Sequence, residues 1–120
     1  MAAHNELGKK GEQLVLEMLR QKGYKILETN WRHEKEEVDI IAIDGDELVI
    51  VEVKTRSTDY FGDPEDAVDA AKERNLIRAA EAYVEEHDLN MDVRYDVVAV
   101  ILKNKDLNIR HIRDAFYPGL

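Results

Sequence analysis

The sequence predicts an α/β domain in which helices pack against one mixed β-sheet, in the order α-β-β-β-α-β-β. Three observations predict it. Two segments place apolar residues at helical spacing, one near residues 5–22 and one ending near Glu86. Five short runs read as strands, and VRYDVVAVIL at 93–102 is apolar enough to lie inside the sheet. Two of the runs meet at Asp44-Gly45-Asp46, a strong hairpin signal.

In the first helix, Leu7, Leu14, Val15, Met18 and Leu19 form the apolar stripe and Gly23 stops it. Gly8 and Gly11 weaken a helix interior by roughly 0.5–1 kcal/mol each, so they either admit another backbone or mark a frayed start. Tyr24–Trp31 reads as the first strand, and 37–43 and 47–55 as the next two. STDYFGDP, 57–64, is a loop in which Asp63 caps the second helix, Pro64 takes its first position and Asp66 follows three residues after the cap. That helix presents Val68, Ala71, Leu76, Ala79, Ala80, Tyr83 and Val84 to the core. His87–Asp92 connects to the interior strand, and Leu107–Ile112 offers a last one. The tail RDAFYPGL is expected to fold back through Phe116 and Tyr117. An edge of the sheet must lie in Tyr24–Trp31 or Leu107–Ile112.

A chain of 120 residues suits a single domain spanning 1–120, with 44% hydrophobic and 36% charged residues. With no cysteine there is no disulfide, thiolate zinc site or cysteine nucleophile. MAAHNELGKKGEQ lacks the apolar stretch of a signal peptide, and no run is long enough to span a bilayer. A cytoplasmic protein without a membrane partner is expected. A net charge of -9 argues against coating nucleic acid through charge alone. It leaves room for a local basic patch, or for an acidic cluster offset by divalent metal.

The hairpin VDIIAIDGDELVIVEVKTR, 38–56, carries the chemistry. Its apolar arms contain Asp39, Glu52, Lys54 and Arg56, and charges inside a hydrophobic strand are costly unless paired or bound to metal. Alternation puts 52, 54 and 56 on one face and Val49, Val51 and Val53 on the other. Strict pairing about the turn sets Asp39 opposite roughly residue 50, diagonal to Glu52 and within reach of a shared ion. Oxygen-only ligands suit Mg2+ or Mn2+. Lys54, one position along that face, is placed to help deprotonate a water or balance charge on a phosphate. The bland alternative is a solvent face of cross-strand salt bridges. His4, His33, His87 and His111 have no ligand spacing, and neither DYFGDP nor Gly8-x-x-Gly11 has the context of a nucleotide loop.

Asp39, twelve intervening residues, then Glu52-Val53-Lys54 resembles the active-site signature of the PD-(D/E)xK superfamily, the restriction-endonuclease-like fold. Within it the chain resembles the UPF0102 (YraN-like) family over about residues 5–117. Gly8, Gly11 and Glu12 match an opening G-x-x-G-E, Asn30-Trp31-Arg32 matches N-x-R, and Glu37-Val38-Asp39 matches E-(I/V)-D. Val51–Arg56, Phe61-Gly62, Lys72, Arg94-Tyr95-Asp96 and Ala115-Phe116 complete the pattern. Glu36 departs from it, standing where the family usually has glycine.

The resemblance implies a metal-dependent endonuclease or exonuclease acting on DNA, branched or damaged forms included. Asp39 and Glu52 would hold Mg2+ or Mn2+, with the Val53 carbonyl as an extra ligand and Lys54 assisting the water. Glu12 shares a stripe with Val15, Leu16 and Leu19, and would orient the water or hold a second ion. Arg56 is a candidate phosphate contact, its alternative a pair with Asp59 or Glu52. Lys72 borders the packed face of its helix, placed for a phosphate, a carboxylate or apolar cover. Trp31 and Arg32 are a candidate substrate edge, and Arg94 and Asp96 structural supports. Two rivals remain: a non-catalytic nucleic-acid-binding or partner-binding domain with the same fold, and an interaction protein whose polar hairpin face makes a homodimer.

Overall fold

The structure, a computed structural model, describes residues 2–56, 68–103 and 105–118. Helix α1 (Ala2–Gln21) is followed by strands β1 (Lys25–His33), β2 (Glu36–Asp44) and β3 (Glu47–Arg56), helix α2 (Ala70–Glu86), and strands β4 (Asp92–Lys103) and β5 (Asp106–Phe116). The order α-β-β-β-α-β-β and the mixed sheet are the restriction-endonuclease-like arrangement. The strands lie β1-β2-β3-β4-β5, so β1 and β5 are both edges. Only β3 and β4 run parallel, as a crossover through a helix requires; the other pairs are antiparallel.

Local chemistry accounts for the element ends. Gly23 takes φ 92° just past α1, where its N–H reaches Arg20 O and that of Tyr24 reaches Leu19 O. Asp88, φ 49°, closes α2 in the same way, through bonds to Glu85 O and, from Leu89, to Val84 O. The β2–β3 hairpin turns on Gly45-Asp46, with Asp44 opposite Glu47 and Gly45 at φ 63°.

Three expectations and one alternative need correction. Helix α2 begins at Ala70 with Asp69 as its N-cap, accepting from Lys72 N–H at 2.8 Å, so Val68 precedes the helix though it is buried. The cap expected at Asp63-Pro64 falls outside the described residues. The tail from Arg113 to Phe116 extends β5; Phe116 stacks on Tyr95 at 5.0 Å, whereas Tyr117 is 71% exposed and does not fold back. Asp39 is not opposite residue 50. Ile41 pairs with Ile50 and Ile40 with Val51, where the β2–β3 register ends, and Asp39 just beyond it accepts from the Val53 N–H. Nor is the face of Glu52 a solvent face, for Glu52 is 3% exposed.

The sheet is buried on both sides. On one side Val15 and Leu19 of α1 pack with Ile40, Ala42, Val49, Val51, Val98 and Val100 of the sheet. On the other, Leu76 and Tyr83 of α2 pack with Val38, Ile41, Leu48, Ile50 and Val97 of the sheet. This explains why β3 and β4 read as continuous apolar runs. Val38 and Ile41 share the α2 face although two residues separate them, so strict alternation is lost at Asp39. In the β1–β2 register Thr29 pairs with Ile40 and Trp31 with Val38, and Asn30 between them is held at φ 51°. A local break of this kind re-aims a side chain.

Candidate active site

The hairpin arms bring Asp39 and Glu52 together where β3 leaves the core. Glu52 points toward α2, and Asp39 turns across its strand so that Oδ2 accepts the Val53 N–H at 2.8 Å. Burial and the adjoining Glu52 carboxylate push the Asp39 carboxyl up to about 8, against the opposing pull of the Val53 N–H and the Lys72 ammonium. Glu52 Oε2 has Lys72 Nζ at 3.3 Å, yet accepts no well-formed hydrogen bond. Two carboxylates in contact, one carrying a buried oxygen that lacks a hydrogen bond, need either a shared proton or a cation.

Helix α1 closes the other side. A side chain at Gly11 would overlap the Thr55 hydroxyl, so glycine there lets the helix lie directly on β3. At Gly8 a Cβ would meet open space, for that residue lines the site itself. Leu7, Gly8, Glu12, Asp39, Val53, Lys54, Thr55 and Arg56 bound an open cleft of about 320 Å³. Burial and the nearby Asp39 charge raise the Glu12 pKa, while a hydrogen bond with Asn30 opposes them. Across Glu12 the cleft adjoins a second hollow of about 280 Å³ formed by Lys9, Gln13, Leu16, Thr29 and Asn30.

Glu12, Asp39, Lys54 and Arg56 therefore converge on one cleft, with Glu52 behind it. Lys72 reaches Glu52 from α2, so this lysine rather than Lys54 is the cation against the carboxylate pair. Trp31 and Arg32 are not among the cleft's lining residues. Trp31 packs edge-on to Tyr83 at 5.1 Å and stacks on His33 at 5.9 Å; exposed Arg32 stands 4.0 Å from Glu37. Arg94 and Asp96 lie on the α1 face among Tyr24, Asp44, Glu47 and His111. Sequence reasoning missed Lys9 and Thr55. Lys9 could have been found, three residues before Glu12 on the same helix flank; Thr55 looks like any strand threonine.

Among the described residues, no three His, Cys, Asp or Glu side chains are grouped to hold a metal ion. The pair alone still fits a hard cation. Mg2+ is commonly bound through one or two carboxylates, with water and phosphate oxygens completing its shell, and Glu52 Oε2 is an oxygen in want of such a partner.

Residues 11–100 match the model of a family described as "Uncharacterised protein family UPF0102". A UPF0102 protein of Christiangramia forsetii is 52% identical over 117 residues, which cover 98% of each chain. One from Flavobacterium psychrophilum is also 52% identical over 117 residues and 98% of each chain. A third, from Bacteroides thetaiotaomicron, is 48% identical over 120 residues, covering all of this chain and 99% of its own. With a family model spanning most of its strands and relatives matched nearly end to end, the chain belongs to UPF0102.

Proposed function

We propose that this protein is a divalent-metal-dependent nuclease that hydrolyses phosphodiester bonds in DNA. The observation that carries the reading is the buried Asp39–Glu52 contact, which opens onto a cleft lined by Glu12, Lys54 and Arg56. Asp39 and Glu52 would hold Mg2+ or Mn2+, with the Val53 carbonyl beside them, and the bound ion would supply charge neutralisation and a more acidic water. The chain's own residues do the rest. Val53 N–H fixes the Asp39 carboxylate where it lines the cleft. Lys54 is placed to hold the attacking water or take up its proton. Glu12, steadied by Asn30, orients that water from the opposite wall. Arg56, exposed at the mouth, offers a guanidinium to the phosphate. In a chain of net charge -9, Lys54 and Arg56 line the cleft of Asp39 and Lys9 lines the hollow beside it.

Labelled single-stranded, duplex and branched DNA incubated with Mg2+ or Mn2+ tests the proposal. Asp39→Ala should abolish cleavage and Lys54→Ala should slow it by about 10²–10⁴-fold, with circular dichroism unchanged. Full activity in purified Asp39→Ala protein would sink the mechanism. The strong negative charge and the absence of a three-carboxylate cluster among the described residues favour a second reading, a nucleic-acid-binding domain without turnover. In that case DNA binding survives Asp39→Ala and no product forms from the wild type.

A further inference from the structure

Glu52 cannot reach water from its place on a central strand, being 3% exposed. Its charge must be met from within the protein, and it is met by an unusual partner. Lys72 stands in the first turn of α2, its backbone pinned by the Asp69 cap at 2.8 Å while 36% of its side chain is exposed. The base of the residue is fixed and the head has a path to solvent along a flexible four-carbon stem. Its contact with Glu52 Oε2, 3.3 Å, is an ion pair without a well-formed hydrogen bond. Such a contact neutralises without locking.

We infer that Lys72 is a resident counter-ion, which holds Glu52 in the metal-free protein and gives way when a divalent cation enters. The inference rests on the metal-dependent reading of the same site. A cation bound by Asp39 and Glu52 would meet the ammonium as a like charge beside its own ligand, so the two cannot both stay. Lys72 is thus a positioning residue for the empty site and a competitor for the filled one. It spares the apo protein an unpaired buried carboxylate, and makes metal affinity depend on how readily the ammonium withdraws.

Two readouts of opposite sign test this without measuring cleavage. Calorimetric titration with Mn2+ should show Lys72→Met binding roughly fivefold tighter than wild type, the size of one part-exposed ion pair. The same variant should unfold at lower temperature in EDTA, and that loss should vanish in a Glu52→Gln background, where there is no charge to hold. Lower thermal stability together with weaker Mn2+ binding would make Lys72 a structural bolt and overturn the inference. So would unchanged Mn2+ affinity in Lys72→Met when wild-type binding is intact and lost in Asp39→Ala, a result that leaves the nuclease reading standing. Wild type that takes up no Mn2+, with or without DNA, removes both.

Discussion

Two carboxylate clusters sit on the same sheet, and they treat their charges in opposite ways. At the hairpin-turn end, Arg94 grips Asp96 with two parallel bonds of 3.0 and 3.1 Å, and reaches Asp44 at 2.9 Å, Glu47 at 3.0 Å and the Tyr24 hydroxyl. Asp96 also accepts from His111 Nε2 at 2.7 Å and from the Asp114 N–H at 3.0 Å. Lys22 donates to His111 Nδ1, which leaves the ring proton on Nε2, directed at Asp96. Burial raises the Asp96 pKa, but His111, Arg94 and the Asp114 N–H outweigh it and hold the carboxyl below its usual range. At the other end Asp39 has one backbone donor, a carboxylate neighbour and a pKa pushed far upward. A sheet able to satisfy one buried aspartate so fully leaves the other short of partners, and under the proposed metal-dependent reading that shortfall is what an incoming ion would meet.

The largest expected effect breaks the satisfied cluster. Arg94→Met strands Asp96, 1% exposed, without its bidentate partner and should cost about 3–5 kcal/mol in urea unfolding. Glu52→Gln, equally buried, should cost little or even stabilise the metal-free protein, because it relieves Asp39 of a like charge. Equal losses in the two variants would mean that the clusters do not differ in kind.

Next in size is the seat of α1. Gly11→Ala drives a methyl group into Thr55, so either the helix lifts or the strand end shifts, at about 1–3 kcal/mol. Thr55→Ala in the same chain should recover part of the loss. Since Gly11 sits one residue before Glu12, Mn2+ binding should weaken alongside stability; a purely structural change would leave calorimetry untouched.

How much of this was legible in the sequence follows from the range of the interactions. Gly23 and the Asp-Gly turn act within a few residues and could be read directly. The gathering of Asp39 and Glu52 was legible because a tight turn enforces it, but the hairpin register is shifted from strict pairing about the turn, since Asp44 and Glu47 pair and the loop holds only Gly45-Asp46. Arg94 and Asp96, two apart on a strand, share a face by alternation; Tyr24 and His111 join them from other elements and gave no local signal. A carboxylate was one of the partners the sequence left open for Lys72, but which lysine meets the pair turns on how a helix lies across a strand. Strand β5 was underestimated because an edge strand with little burial lacks a clear alternation.

Proton linkage sharpens the contrast. The raised Asp39 pKa, about 8 against 3.8, adds stability that is present below pH 4 and lost as pH climbs toward 8. The lowered Asp96 pKa works the other way, adding stability above its ordinary value that is lost as pH falls. Metal-free Asp39→Asn should therefore show a flatter stability curve between pH 4 and 8 and outlast wild type at pH 8, whereas Asp96→Asn should lose most at neutral pH. Saturating Mn2+ should abolish the Asp39-linked slope in wild type and leave the Asp96-linked slope alone. A slope indifferent to Mn2+ would detach Asp39 from metal binding.

The smallest effect concerns the helix end that carries Lys72. Asp69→Ala removes the α2 cap and should cost about 1 kcal/mol. The cap binds the backbone N–H of Lys72 itself, so fraying that turn also loosens the ammonium over Glu52. Combined with Lys72→Met, the two losses should sum to less than their parts, because an uncapped turn holds its lysine less firmly from the outset. Strict additivity would mean that the ion pair survives a frayed helix start, and that the Lys72 stem rather than its backbone sets the contact. Arg94 offers no such weakness: it sits on a central strand with several bonds to its guanidinium, and no single cap governs where its charge lies.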